Sequence, residues 1–238
     1  KFKDKIKYIV IDKEPDGIVE ENNNPTLQRA NSLKRIELSY DEHFNAIKDA
    51  DDDDFIMLSD NDEIPNLDSE DFKKNKNDIV IFNQLFFYFK FNLLYDRMLW
   101  PGTKGCRKKN LKSFSWLRNI KFKKYPIWRI DTYFSNTKYS NLNIINDGGW
   151  HFTNLKSPED MFEKFMNFGH HDEFKLSGIT VDKIRDKISK REMFYDHFAD
   201  KSSKNKWDSD YKLKKIDTDL LPRYLVSNRE KYLEWFDL

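Results

Sequence analysis

Cysteine is almost absent. Cys106 stands alone among 238 residues, which excludes an intrachain disulfide and a zinc site built from several thiolates. Such usage suits a reducing compartment, and a cytoplasmic location is expected. Long apolar runs are missing too: none approaches the roughly 18 residues of a membrane-spanning helix, and the start "KFKDKIKYIVID" lacks the pattern of a signal peptide. Neither sign of charge is in excess, with 42 basic against 41 acidic residues, which argues against a protein devoted to the phosphate backbone of nucleic acid. The 7 glycines form neither a P-loop nor a dinucleotide fingerprint.

Aromatic residues are plentiful, at 16% of the chain, so the expected core is built from Phe, Tyr and Trp rather than from aliphatics. This is not the composition of disorder, which is poor in aromatics. The length allows one sizeable domain or at most two small ones, and neither a repeat nor an interdomain linker is visible; the expectation is a single domain over 1–238.

Along the chain, "KIKYIVID" (5–12) reads as a strand already in mid-domain, which predicts further sequence upstream. Residues from Pro25 to Ile47 carry apolar positions at helical spacing. "FIMLSD" (55–60) reads as a short buried strand. Apolar strands alternating with helices predict an α/β layer with a largely parallel sheet and this strand at its centre. "DIVIF" and "QLFFYFKFNLLY" look like a strand pair, "WPGTKGCRKK" (100–109) like a glycine-bearing basic loop, and "PIWRIDTYF" like another strand. Ser157 and Pro158 mark a helix start, where Glu159 and Asp160 face the helix dipole as capping rather than catalytic acids. That helix is expected to end near Gly169, leaving His170, His171, Asp172 and Glu173 just beyond it. Two further amphipathic helices are expected over 180–199 and 219–236.

The chemistry concentrates in "FIMLSDNDEIPN" (55–66), where an apolar run ends in Asp60, Asp62 and Glu63 before Pro65. Carboxylates this close repel unless a positive charge lies between them. Hard oxygen ligands at a strand end suit Mg²⁺ or Mn²⁺ shared with substrate phosphates. A second cluster, "NIINDGGWHFTNL" (143–155), sets Trp150 and His151 directly after two glycines.

Taken together, "MLSDNDEIPN", "DGGWHF" (147–152), "GHHDEF" (169–174), "NPTLQRANSL" and "LPRYLVSN" (221–228) resemble, in order, the motifs of glycosyltransferase family 17, the β-1,4-N-acetylglucosaminyltransferase-like enzymes. Two departures stand out: the family's upstream strand and helix are missing, and His170 replaces the small residue before the family's histidine. The resemblance implies a GT-A-like, Rossmann-type mixed sheet flanked by helices. It also implies a nucleotide-sugar donor, most simply UDP-GlcNAc, a divalent metal, a glycan or glycoprotein acceptor and transfer with inversion. By that resemblance Asp62 and His171 are the metal residues. Asp60, Arg29, Trp150 and His151 serve the donor, and Asp147, or else Glu173, takes the acceptor's proton. Two other readings remain: a metal-dependent hydrolase of phosphoesters or glycans, and a non-catalytic glycan-binding domain.

Overall fold

The computed structural model describes residues 3–20, 24–168, 171–199 and 206–238. Gly169 and His170 therefore lie outside the described residues. Along the chain the elements are α1 (Pro25–Asp41), β1 (Phe55–Leu58), β2 (Glu63–Pro65), α2 (Glu70–Lys73), β3 (Ile79–Tyr88), β4 (Leu93–Leu94), β5 (Trp100–Arg107), α3 (Phe114–Asn119), β6 (Leu142–Ile145), β7 (Gly149–Thr153), α4 (Pro158–Asn167), α5 (His171–Ser177), α6 (Val181–Ser189), β8 (Lys214–Lys215) and α7 (Arg223–Ser227). The fold is mixed α/β. No helix among the described residues is long and apolar enough to cross a membrane. Two compact units emerge, one from Lys1–Leu58, Glu70–Ile81 and Thr103–Ile145, the other from Ser59–Ser69, Phe82–Gly102 and Asn146–Leu238.

In the first unit, α1 starts where Asn24 Oδ1 accepts the N–H groups of Thr26 and Leu27, with Pro25 in its first turn. Antiparallel pairing joins β1 to β5, with Phe55 opposite Arg107. Their inner faces bury Ile56 and Cys106 with Leu117 and Leu142. Burial pushes the Cys106 thiol up to about 12, which leaves it an inert core residue. β1 has β5 as its strand neighbour and ends the strand order, so it is an edge strand rather than the central one.

The basic loop expected at 100–109 is instead strand β5. Its glycines belong to packing: a Cβ on Gly105 would lie 2.5 Å from the Phe55 ring. The strand expected at 126–134 is a run of turns around a 3-10 helix at Ile130–Thr132. There the backbone closes on itself, Arg129 N–H donating to Pro126 and Thr132 N–H to Arg129, so no ladder forms. Residues 6–12 form no strand either.

In the second unit the pairing is mixed. β2 pairs antiparallel with β7, β7 parallel with β3, and β3 and β8 flank β4 antiparallel. The largely parallel sheet is thus not what forms, because hairpin-like returns replace most helical crossovers. β3 runs unbroken through "DIVIF" and "QLFFY" since no turn residue interrupts it; the break comes at Phe89, whose φ is +65°. The aromatic core that composition predicts forms here, where Phe86, Tyr95, Phe165, Phe174, Phe194 and Trp207 pack in one cluster, whereas the core of the first unit is mostly Ile and Leu. Ser157 Oγ accepts the Asp160 N–H and starts α4, as read from sequence. Instead of a solvated tail, α5 opens at His171. The expected C-terminal helix is broken into α7 and a 3-10 run at Arg229–Trp235.

Candidate functional site

The acidic stretch is a tight turn that feeds β2. Glu63 N–H donates to the Asp60 carbonyl at 3.0 Å, and Asp60 N–H returns a bond to Glu63 Oε2 at 3.2 Å. Asn and Asp at the centre of such a turn follow from their tolerance of turn geometry. β2 then pairs with β7, setting Glu63 opposite His151 and Pro65 opposite Gly149. Pro65 is tolerated because β2 has β7 as its strand neighbour on one side. This pairing also explains the second of the two glycines. Gly149 has φ of +106°, and a Cβ there would lie 2.2 Å from the Ile64 carbonyl oxygen. The two odd stretches of the sequence are therefore one ribbon.

His151 is the hub of that ribbon. Its ring is buried and nearly parallel to two neighbours, Trp100, with centroids 4.5 Å apart and planes at 19°, and Phe86, at 4.8 Å and 23°, which also touch each other at 5.0 Å. Nε2 lies 3.4 Å from Asp62 Oδ2, while Nδ1 has no hydrogen-bond partner among the described residues. That asymmetry favours the tautomer with its proton on Nε2, donated to Asp62. Trp100 Nε1 donates to Glu63 Oε1 at 2.9 Å. The partners that the acid cluster calls for are thus partly internal, and they are N–H donors: one imidazole, one indole and one backbone amide.

The two adjacent carboxyls are driven apart. Burial raises Asp62, but the hydrogen bond and charge of His151, joined by the charge of Lys164, outweigh it and hold that carboxyl below its ordinary value. For Glu63 burial wins over the Trp100 N–H, and the charge of Asp60 adds to the rise. Behind His151, Tyr88 Oη and His197 Nε2 are 2.7 Å apart. Burial pushes the His197 imidazole down to about 4, against the opposing charge of Asp196. A neutral His197 accepts the Tyr88 hydroxyl proton, and burial keeps that phenol protonated above its ordinary range.

Asp62 opens onto a cleft of about 500 Å³ lined by Asn61, Ile64, Phe152, Lys156 and Lys164 among others. Lys164 Nζ donates to Asn154 Oδ1 at 3.0 Å. Burial lowers the Lys164 ammonium, the Asp62 carboxylate opposes that, and the charge of Lys156 adds to the lowering. Two lysines therefore face one cleft carboxylate, and one of them is poorly hydrated. The cleft can hold an anion.

Other residues singled out in the sequence fall elsewhere. Asp147 is exposed and accepts from Asn66 Nδ2 at 2.9 Å, at the opposite end of the β2–β7 ribbon from Asp62, about 13 Å away along the strand. Trp150 Nε1 donates to the Leu220 carbonyl at 2.6 Å, and its ring packs with Leu221 and Leu225 rather than standing clear for a sugar. Glu173 forms an ion pair with the buried Lys206, so its carboxylate is committed to a structural contact. His171 sits at the start of α5, with Nδ1 3.1 Å from the Phe168 carbonyl oxygen. The imidazole brought beside Asp62 is His151, not His171. Arg29 is an exposed residue of α1 in the first unit.

Sequence reasoning placed Glu63 in the acid cluster without a role of its own, and missed Lys156, Lys164, Tyr88 and His197 as members of this neighbourhood. Lys164 left a signal: it interrupts the apolar stripe of α4 between Met161 and Phe165, both buried. No family model, curated protein or solved structure gives a significant match to this chain.

Proposed function

We propose that this chain is a glycosyltransferase of GT-A-like fold, resembling family 17, that moves a GlcNAc-type sugar from a UDP-linked donor to a glycan hydroxyl with inversion. One observation carries the reading: an ionised Asp62 shares a cleft with Lys156 and a partly buried Lys164, the charge pattern a donor diphosphate needs. Among the described residues, no group of three or more His, Cys, Asp or Glu side chains could hold a metal. A Mg²⁺ or Mn²⁺ shared with substrate phosphates needs fewer, since one or two carboxylates complete its shell. Asp62, with Asn61 beside it on the cleft lining, fits that role. When bound, the cation supplies positive charge against the charge that builds on the departing UDP.

The chain's own residues do the rest. His151, packed against the rings of Trp100 and Phe86, orients Asp62 and keeps it ionised. Lys164 and Lys156 bind and orient the diphosphate, and Lys164 strengthens its hold because burial has already stripped part of its hydration. Inversion requires a carboxylate that takes the acceptor proton on the face away from the leaving group. Asp147 is the proposed base, because an extended sugar diphosphate laid along the β2–β7 ribbon from Asp62 would bring its sugar toward that end. Its hydrogen bond from Asn66 aims the carboxylate.

A second reading draws on the opposed carboxyls, Glu63 raised and Asp62 lowered, which suit a hydrolase acting on phosphoesters or glycans. One assay separates them. Incubation with UDP-GlcNAc, Mn²⁺ and a panel of N-glycan acceptors should release UDP and yield a heavier glycan. Asp62→Asn should lower that turnover at least about a hundredfold, as loss of a charged site group does. Turnover of p-nitrophenyl phosphate or glycan cleavage without any nucleotide-sugar, and no UDP release, would replace the transferase reading with the hydrolase.

A further inference from the structure

Between Lys121 and Tyr139 the chain makes a surface loop whose ends are tied together. Lys121 N–H donates to the Thr137 carbonyl at 2.7 Å, Tyr125 N–H to the Tyr139 carbonyl at 3.2 Å, and Lys124 bridges to Tyr139. Inside, Thr132 is buried and its Oγ1 donates to the Arg129 carbonyl at 2.7 Å. Tyr125 is buried as well, beneath the cationic groups of Lys123, Arg129 and Lys138, which lie 5.3 to 6.0 Å from its ring centroid. The loop is thus built on its own small foundation, to which one tip side chain adds: Tyr133 Oη donates to the Ile127 carbonyl at 3.1 Å.

Those tip side chains are the anomaly. Ile127, Trp128, Ile130, Tyr133 and Phe134 are 69%, 78%, 74%, 73% and 86% exposed. Single exposed apolar groups are ordinary, but five within eight residues form a patch that marks an interaction site. The charge around them has one sign. Lys121, Lys123, Lys124, Arg129 and Lys138 stand against Asp131 alone, in a chain whose overall net charge is +1. Asp131 is itself neutralised, bonded to Arg129 at 2.7 Å and to Lys138 at 2.8 Å. Lys121, Lys123 and Lys124 remain exposed along the rim.

We propose that this loop is an interfacial anchor that seats the protein on an anionic lipid surface. Trp128, Phe134 and their apolar neighbours enter the boundary between headgroups and acyl chains, and the rim lysines lie over acidic headgroups. Charge complementarity selects this occupant. An apolar protein groove would leave the lysine rim unpaired, whereas anionic headgroups answer both features at once. Trp and Tyr are the side chains that favour that boundary, with an apolar ring and a polar N–H or O–H. Because the loop is already folded, docking orders only side chains, which keeps its entropic cost small.

Cosedimentation of the whole chain with vesicles tests this. Phosphatidylcholine vesicles should bind weakly, and vesicles of about 70:30 phosphatidylcholine to phosphatidylserine more tightly by roughly a hundredfold, the effect of three rim lysines. Raising salt to about 0.5 M should erase most of that preference. The double variant W128A/F134A, altered only at exposed positions, should keep its thermal midpoint and bind anionic vesicles at least about tenfold more weakly. The variant K121E/K123E/K124E should bind both vesicle types alike. Wild-type protein that ignores the phosphatidylserine vesicles would overturn the proposal. So would a concentration-dependent dimer abolished by W128A/F134A without any vesicle binding, since the patch would then join two copies.

Discussion

A carboxyl group releases its proton according to what surrounds it, and Asp62 and Glu63 show how far one residue of displacement moves that surrounding. Asp62 faces the cleft beside His151 and Lys164, and Glu63 lies across from His151 under the Trp100 indole. From sequence the group reads only as an acid knot awaiting a metal. Its internal partners were not legible, because Trp100 and His151 come from distant stretches and are aligned only by β-pairing. His197 was likewise silent in sequence, though its environment makes a clear prediction. Its folded value of about 4 lies below the ordinary 6.5, so between those values the unfolded chain binds the extra proton. Stability should therefore be intact at neutral pH and fall as pH drops from 6.5 toward 4, by up to about 3 kcal/mol from this group. Urea melts at pH 7 and pH 4.5 check it. His197→Gln, which can still accept from Tyr88, should lose markedly less stability over that interval than the parent chain.

At the scale of elements, local signals were readable and partnered ones were not. The start of α4 was legible because Ser157, Pro158 and the acids after them act within one turn. Strand β5 was not, because Gly102 and Gly105 look like loop residues until their neighbours are known. A Cβ on Gly102 would meet the Gln84 side chain at 2.0 Å. "PIWRIDTYF" misled in the other direction: its apolar and aromatic residues fit a strand pattern, but they are exposed on a self-bonded loop. Gly149 offers a test of the ribbon. Gly149→Ala sets a methyl against backbone atoms of β2 and forces an L residue to φ of +106°. A loss of at least about 2 kcal/mol in denaturant midpoint analysis is expected. An alanine variant as stable as its parent would mean that β2 and β7 are not paired as described.

At the scale of the whole molecule, the class was legible, mixed α/β with helices beside a sheet, and so was the aromatic core of the second unit but not the aliphatic one of the first. The division into two compact units was not legible, since the chain passes between them several times without a linker. Nor could sequence show that the positive charge near Asp62 comes from Lys156 and Lys164, which follow the acidic turn by about a hundred residues. The central claim is that this cleft holds the diphosphate of a nucleotide-sugar through Asp62, a divalent cation and these lysines. Calorimetric titration of UDP into the protein with Mn²⁺ tests it most directly. Saturable binding is predicted, lost in EDTA and in Asp62→Ala, and weakened roughly ten- to a hundredfold in Lys164→Met, the worth of one charged hydrogen bond. No binding at all, or binding equal in EDTA and in both variants, would contradict it.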